Sequence, residues 1–215
     1  EGKSEITRAD TEILRKDPGI RWKIAESVTV IGEKAFFGCA EIKSITIPEG
    51  ITRIGKEAFS VCSSLEEVHF NAVAVEDLTS YNYVFEDSGR TSPGIVLTIG
   101  KSVSKIPAYM FSPDRAGSAK IIQLKFEENS VCQKIGAHAF EENKYLKKIV
   151  LPECISQIDE SAFEDCEKVK NIDIGNGVTD IAERAFYQCS NAESITIGKN
   201  VKNVGSAAFD VGGKL

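Results

Sequence analysis

At 215 residues the chain is long enough for one or two domains, and its 42% hydrophobic and 27% charged content suits a soluble, packed protein. A formal charge of -6 and a pI near 5.2 argue against nucleic acid, which needs a basic patch. No apolar run approaches the roughly 20 residues needed to span a bilayer. The first residue is Glu1 and the chain holds a single Met, so a processed or trimmed product is expected, with any signal peptide already removed.

Taken from the amino end, residues 4–16 read as an N-terminal cap, with a helix as one way to build it, inside a capping stretch 1–19. Residues 20–32, "IRWKIAESVTVIG", read as the strand and return of a first unit, with Trp22 and Ile24 in the strand slots. A repeat then becomes visible. "IGEKAFFGC" from Ile31 returns as "IGKEAFSVC" from Ile54 and as "IAERAFYQC" from Ile181. With the Phe of Ala-Phe as marker, the positions are Phe36, Phe59, Phe140, Phe163, Phe186 and Phe209. Phe36 to Phe59 is 23 residues, and so is each step from Phe140 to Phe209. Phe85 in "YNYVF" and Phe111 in "PAYMF" fill the gap at steps of 26, 26 and 29.

Each unit follows one order. An alternating run comes first, as in "IKSITIP" at 42, "LEEVHF" at 65, "LKKIVLP" at 146, "VKNIDIG" at 169 and "AESITIG" at 192. Period-two apolar spacing predicts a short strand, and Pro48, Pro152, Gly175 or Gly198 then breaks it. Two apolar residues three apart follow, such as Ile51 and Ile54 or Ile155 and Ile158. A stretch such as "KEAFSVC", too brief for a regular helix, predicts a helical turn. So small a unit cannot bury its own apolar face, but a stack of units can, with parallel strands about 4.8 Å apart and the marker rings in one interior column. The expectation is an α/β solenoid of about eight repeats, 23–29 residues each, in one domain over 1–215, repeats filling 20–215. Its stacking axis would run about 35–40 Å at strand spacing.

The pattern L/I-x-x-I-x-I-P followed by I-x-x-I-G-x-x-A-F-x-x-C resembles the BspA-like leucine-rich repeats of bacterial surface proteins. The quoted residues carry the resemblance clearly in five units and loosely around Phe85 and Phe111. It implies a right-handed leucine-rich-repeat superhelix in a secreted or surface-displayed protein, and several members of the family act as adhesins for host proteins.

Cys39, Cys62, Cys166 and Cys189 stand three residues after a marker, where other units carry Ser88, Asp114, Asn143 and Gly212. A column shared by Cys, Ser, Asn and Asp points to a small polar group satisfying backbone in a turn. Cys132 takes an apolar slot and should be buried, and Cys154 falls at a turn. Zinc sites offer paired ligands a few residues apart, and this spacing lacks them. A Cys39–Cys62 disulfide between neighbouring units stays geometrically open.

Catalysis needs a tuned acid, base or nucleophile with an orienting partner. His69 and His138 lie in different units, and no nucleophile elbow, zinc-protease or phosphate-loop pattern is present. The chain is therefore expected to be non-catalytic and to need no cofactor or metal. Two surfaces compete for a partner. The exposed sheet face should present Ser44/Thr46, Glu67/His69, Val96/Thr98, Gln123/Lys125, Lys148/Val150, Asn171/Asp173 and Ser194/Thr196, which suits hydrogen bonding to an extended peptide or a glycan. The second surface comes from the longer central units, whose extensions are "EDSGRTSPG" (86–94) and "SPDRAGSAK" (112–120), with smaller additions after the strands. Insertions in repeats go to loops on one side. Arg90, Arg115 and Lys120 would form a basic protrusion there, near Tyr81, Tyr83 and Tyr109, with at least one tyrosine turned into the core. The leading reading is a monomeric, extracellular or surface-bound module that binds a host or cell-surface protein or glycan. A structural spacer within a longer surface protein, whose further domains would cover the uncapped ending "AAFDVGGKL", and an enzyme or enzyme inhibitor are the alternatives.

Overall fold

The computed structural model of the chain describes residues 3–17, 22–113 and 117–213. The elements in chain order are β1 Glu5–Ile6, α1 Glu12–Lys16, β2 Val30–Ile31, β3 Ser44–Ile47, β4 Arg53–Ile54, β5 Glu67–Phe70, β6 Ile95–Ile99, β7 Lys105–Ile106, β8 Ile121–Phe126, β9 Lys134–Ile135, β10 Lys148–Val150, β11 Gln157–Ile158, β12 Asn171–Asp173, β13 Asp180–Ile181, β14 Ser194–Thr196 and β15 Asn203–Val204. They stack as a solenoid of parallel strands. The longer strands make a front sheet in two parts, β3-β5-β6-β8 and β10-β12-β14. The two-residue strands make a return sheet, also in two parts, β1-β2-β4 and β7-β9-β11-β13-β15.

The 23-residue period is the register. Ser44 pairs with Glu67, Lys148 with Asn171 and Asn171 with Ser194. Alternation in the front strands puts Ile45, Val68 and Leu97 inside one above another. Between β6 and β8 the register slips at Ile95/Val96, so that Ile122 is an extra residue.

The interior is one column of rings. Phe36, Phe59, Phe85, Phe111, Phe140, Phe163, Phe186 and Phe209 follow one another at centroid distances of 5.1–5.5 Å. Trp22 adds a ninth ring, 5.0 Å from Phe36 and tilted by 35°. Trp22 was expected in a strand slot. Instead residues 22–25 form no strand, and the indole closes the ring column.

The segment around each marker is a pair of tight turns. The residue two before every marker, from Lys34 through His138 to Ala207, has φ between 46° and 55°. Alternate amides then serve two directions. Ala35 and Phe37 donate back within their own turn, to Gly32 and Lys34, while Phe36 and Gly38 donate to Ala58 and Ser60 of the next unit. A continuous α-helix would use every amide internally and leave none to tie the stack.

The expected polar column exists, and its partner is specific. Cys62, Cys166 and Cys189 each point the thiol at the carbonyl of the preceding marker, Phe36, Phe140 and Phe163, at 3.2–3.4 Å. Ser88 donates to Phe59 O at 2.7 Å and the Asn143 amide to Phe111 O at 2.9 Å. Asp114 lies outside the described residues. All six cysteines are free thiols, and Cys132 is buried while Cys154 is half-exposed. A second hydroxyl column runs along the return sheet: Thr52 donates to Thr29 O, Ser156 to Gln133 O and Thr179 to Ser156 O.

The amino-terminal segment continues the stack. β1 pairs with β2, and α1 takes the place of a turn. Thr11 Oγ1 donates to Ala35 O, Arg15 Nε to Phe37 O at 2.9 Å, and Leu14 is buried against the first unit.

The return sheet breaks between β4 and β7 for a chemical reason. In regular units the residue after the return strand donates its N–H to the preceding unit, as Gly55 does to Ile31 and Gly136 to Ile106. In the third unit Thr79 N donates to its own Asn82 Oδ1 instead, at 2.9 Å. In the fourth, Pro107 fills that place and has no N–H to give. The carbonyls of Ile54 and Leu78 accept no hydrogen bond among the described residues.

Candidate functional site

Three surfaces carry exposed chemistry. On the front sheet, two outward columns stand beside the buried ones. Ser44, Glu67, Val96 and Gln123 align in one, and Thr46, His69, Thr98 and Lys125 in the other. Lys148, Asn171 and Ser194, and then Val150, Asp173 and Thr196, continue them over the second part of the sheet. All are exposed or half-exposed. His69 Nε2 sits 3.9 Å from Glu67 Oε2, and the Asn171 amide donates to Ser194 Oγ at 2.8 Å.

The central extension 86–94 folds back on the unit before it. Gly89 N donates to Cys62 O, Thr91 N to Ser63 O, and the Ser92 hydroxyl to Leu65 O at 2.8 Å. Lys120 does not project from a basic knob: its ammonium donates to Ser92 O at 2.6 Å and staples the two extensions together. Arg90 is exposed, and Arg115 lies outside the described residues. None of the three tyrosines enters the core. Tyr81 is 70% exposed, Tyr83 carries the Lys56 ammonium 5.5 Å from its ring, and Tyr109 stacks on His138 at 4.6 Å. Val84 and Met110 fill the interior beside their markers instead.

His138 has a partner that spacing alone did not reveal. Its Nδ1 lies 3.0 Å from Glu141 Oε2, and that hydrogen bond holds its pKa above the ordinary 6.5. The interior thiols are pushed the other way from reactivity, because burial raises Cys132 and Cys189 to about 12. Among the described residues no group of three or more His, Cys, Asp and Glu side chains could hold a metal.

The third surface is a groove of about 470 Å³ at the break in the return sheet. Ile31, Ile54, Val75 and Leu78 line its floor, and Glu5, Glu33, Arg53, Lys56, Glu76 and Asp77 its sides. Thr79 and Asn82 line one side and flank Ser80 and Tyr81, two residues added after β5: Leu78 to Phe85 spans 7 residues where Ile54 to Phe59 spans 5.

Stacked parallel strands around a marker-ring column define a leucine-rich-repeat solenoid. A profile for the BspA type leucine rich repeat region, in six copies, matches residues 20–113 and 104–213. The chain belongs to the BspA-type leucine-rich repeat family. Among solved structures it is similar to the Treponema pallidum leucine rich repeat protein TpLRR, at 20% identity over 83% of this chain and 67% of that one, with a TM-score of 0.43. A leucine-rich repeat protein from Bacteroides ovatus matches at 24% identity over 88% of this chain and 57% of that one, with a TM-score of 0.45. The pneumococcal vaccine antigen PcpA matches at 20% identity over 84% and 56%, with a TM-score of 0.40. The chain thus spans little more than half of the last two. A search of curated proteins gives no match. No helix among the described residues is long and apolar enough to cross a membrane.

Proposed function

We propose that the chain is a non-catalytic interaction module of a secreted or cell-surface bacterial protein, acting as a monomer and binding a host or cell-surface protein or glycan in the manner of an adhesin. One contrast carries this reading. The inward column of the front sheet repeats a single chemistry, Ile45, Val68, Leu97, Leu124, while the outward columns beside it change from unit to unit. Ser44, Glu67, Val96 and Gln123 share one register position and little else. A scaffold that is uniform inside and varied outside presents chosen hydrogen-bonding groups at fixed spacing, which is what recognition of an extended peptide or glycan requires. The buried thiols and rings support the same reading, because they spend their chemistry on packing.

Capture of the immobilised chain by a panel of host extracellular proteins and glycans tests it. A partner should be found whose affinity falls when Thr46 and Thr98 are replaced by Arg. A chain that captures nothing, or a glycan or protein processed during the assay, would overturn the proposal.

A further inference from the structure

We infer that the groove at the break in the return sheet is a docking site for an extended, arginine- or lysine-bearing segment of a partner protein. The inference rests on reading the chain as an interaction module, but it does not depend on the front sheet.

Three observations carry it. First, the groove lies where the third return segment, residues 75–78, sits beside β4 without forming a strand, tied only by Glu76 N to Thr52 O at 3.4 Å and Leu78 N to Ala108 O at 3.1 Å. β4 is the last strand of its part of the return sheet, and the next return segment forms no strand until β7. Second, the Ile54 carbonyl is left without a donor among the described residues, because Thr79 N is diverted to Asn82. An incoming extended chain can supply that donor from its own backbone. Third, the walls favour positive charge. Glu5, Glu33, Glu76 and Asp77 stand against Arg53 and Lys56. Lys56 is already engaged, 3.8 Å from Glu57 and over the Tyr83 ring, and Asp77 holds Lys105 at 3.0 Å. That leaves three carboxylates to one guanidinium. Tyr81, exposed between the groove residues Thr79 and Asn82 in the chain, offers an aromatic surface for the guanidinium or ammonium stem. The occupant therefore needs backbone donors, positive side chains and an unfolded, strand-like shape.

The test uses the whole chain and a fluorescein-labelled octapeptide alternating glycine with arginine, read by fluorescence anisotropy. Glu33→Lys with Glu76→Lys should weaken binding at least about tenfold. Glu160→Lys with Glu183→Lys, an identical charge change on exposed residues of distant units, should weaken it by less than about threefold. A backbone N-methylated copy of the peptide should also bind about tenfold more weakly, because it has no N–H to give the Ile54 carbonyl. Equal weakening by both charge pairs, no binding by the native chain, or indifference to N-methylation overturns the inference. If capture of a panel partner persists while the octapeptide result fails, the groove is removed and the interaction module stands.

Discussion

The carboxyl-terminal units and the central units are built from the same repeat, yet they behave differently as structure. From Phe140 to Phe209 the period stays at 23, adjacent rings lie within 5° of parallel, and the front strands pair without slippage. Between Phe85 and Phe111 the rings tilt by 27°, the front register slips, and the return sheet is interrupted. The stack survives because the ring column continues through the fault at 5.5 Å and β5, β6 and β8 of the front sheet still pair across it. Interior packing and one sheet thus carry the coil across a place where pairing in the other sheet fails. The irregular units also hold the groove. Regularity makes the frame, and its local failure makes a cavity.

Four measurements would break or sharpen this contrast. The largest effect should come from the rings. Phe163→Ala, in the regular half, should cost on the order of 3–5 kcal/mol in chemical denaturation. Phe85→Ala should cost less, because its surroundings already depart from parallel stacking and can relax; equal losses would mean that the fault is only skin-deep.

The next effect tests the polar column. Asn143→Leu leaves Phe111 O without its donor inside the core and should cost about 1–3 kcal/mol. Cys166→Ser keeps a donor at that place, as Ser88 does naturally, and should cost under about 1.5 kcal/mol. A costlier serine would show that thiol volume, not hydrogen bonding, selects the residue.

A smaller effect depends on pH. The folded pKa of His138 is raised, so its charge contributes stability that is present below the unfolded value of 6.5 and is lost as pH rises through the higher folded value. The fall in Tm caused by His138→Gln should therefore be larger at pH 5.5 than at pH 8.5. A deficit independent of pH would assign the residue to stacking on Tyr109 alone.

The smallest effect is chemical. Cys154 is half-exposed, whereas burial lifts the Cys132 and Cys189 thiols to about 12. Iodoacetamide on the native chain should label Cys154 first, as mass spectrometry of tryptic peptides would report, with no measurable loss of stability. Early labelling of Cys166 or Cys189 would show that the regular half opens more readily than its packing implies.

Much of the fold was legible in the sequence because repetition is itself a measurement. One Phe at a fixed offset, seen several times, gives the ring column, and the alternation in "SITI" gives the inward face. The Cys/Ser/Asn substitutions at one offset gave the polar column, though not its acceptor in the neighbouring unit. Other features lay in what repetition averages away. Pro107 and the Ser80–Tyr81 insertion each occur once, and their meaning depends on which amide should have paired with which carbonyl. Tyr109 and His138 meet because they occupy equal offsets in successive units, 29 residues apart, and the longer step hid that equality. Lys120 departs from the expected basic protrusion for a related reason. Length showed that the loop grew, but not that Ser92 would fold it down and bind Lys120.

The side-chain donors of the thiol and hydroxyl columns all reach toward the amino end: Cys62 to Phe36, Cys189 to Phe163, Thr179 to Ser156. Each coil therefore finds its acceptors already in place if the chain is laid down from that end, as during synthesis or export. Cutting coils away from the carboxyl end leaves every remaining side-chain donor of these columns satisfied but strands turn amides such as Phe186 N, which donates to Ala208 O of the next unit, whereas cutting from the amino end strands one side-chain donor per column. Erosion of this molecule should accordingly bare different chemistry at its two ends: backbone amides at one, thiols and hydroxyls at the other.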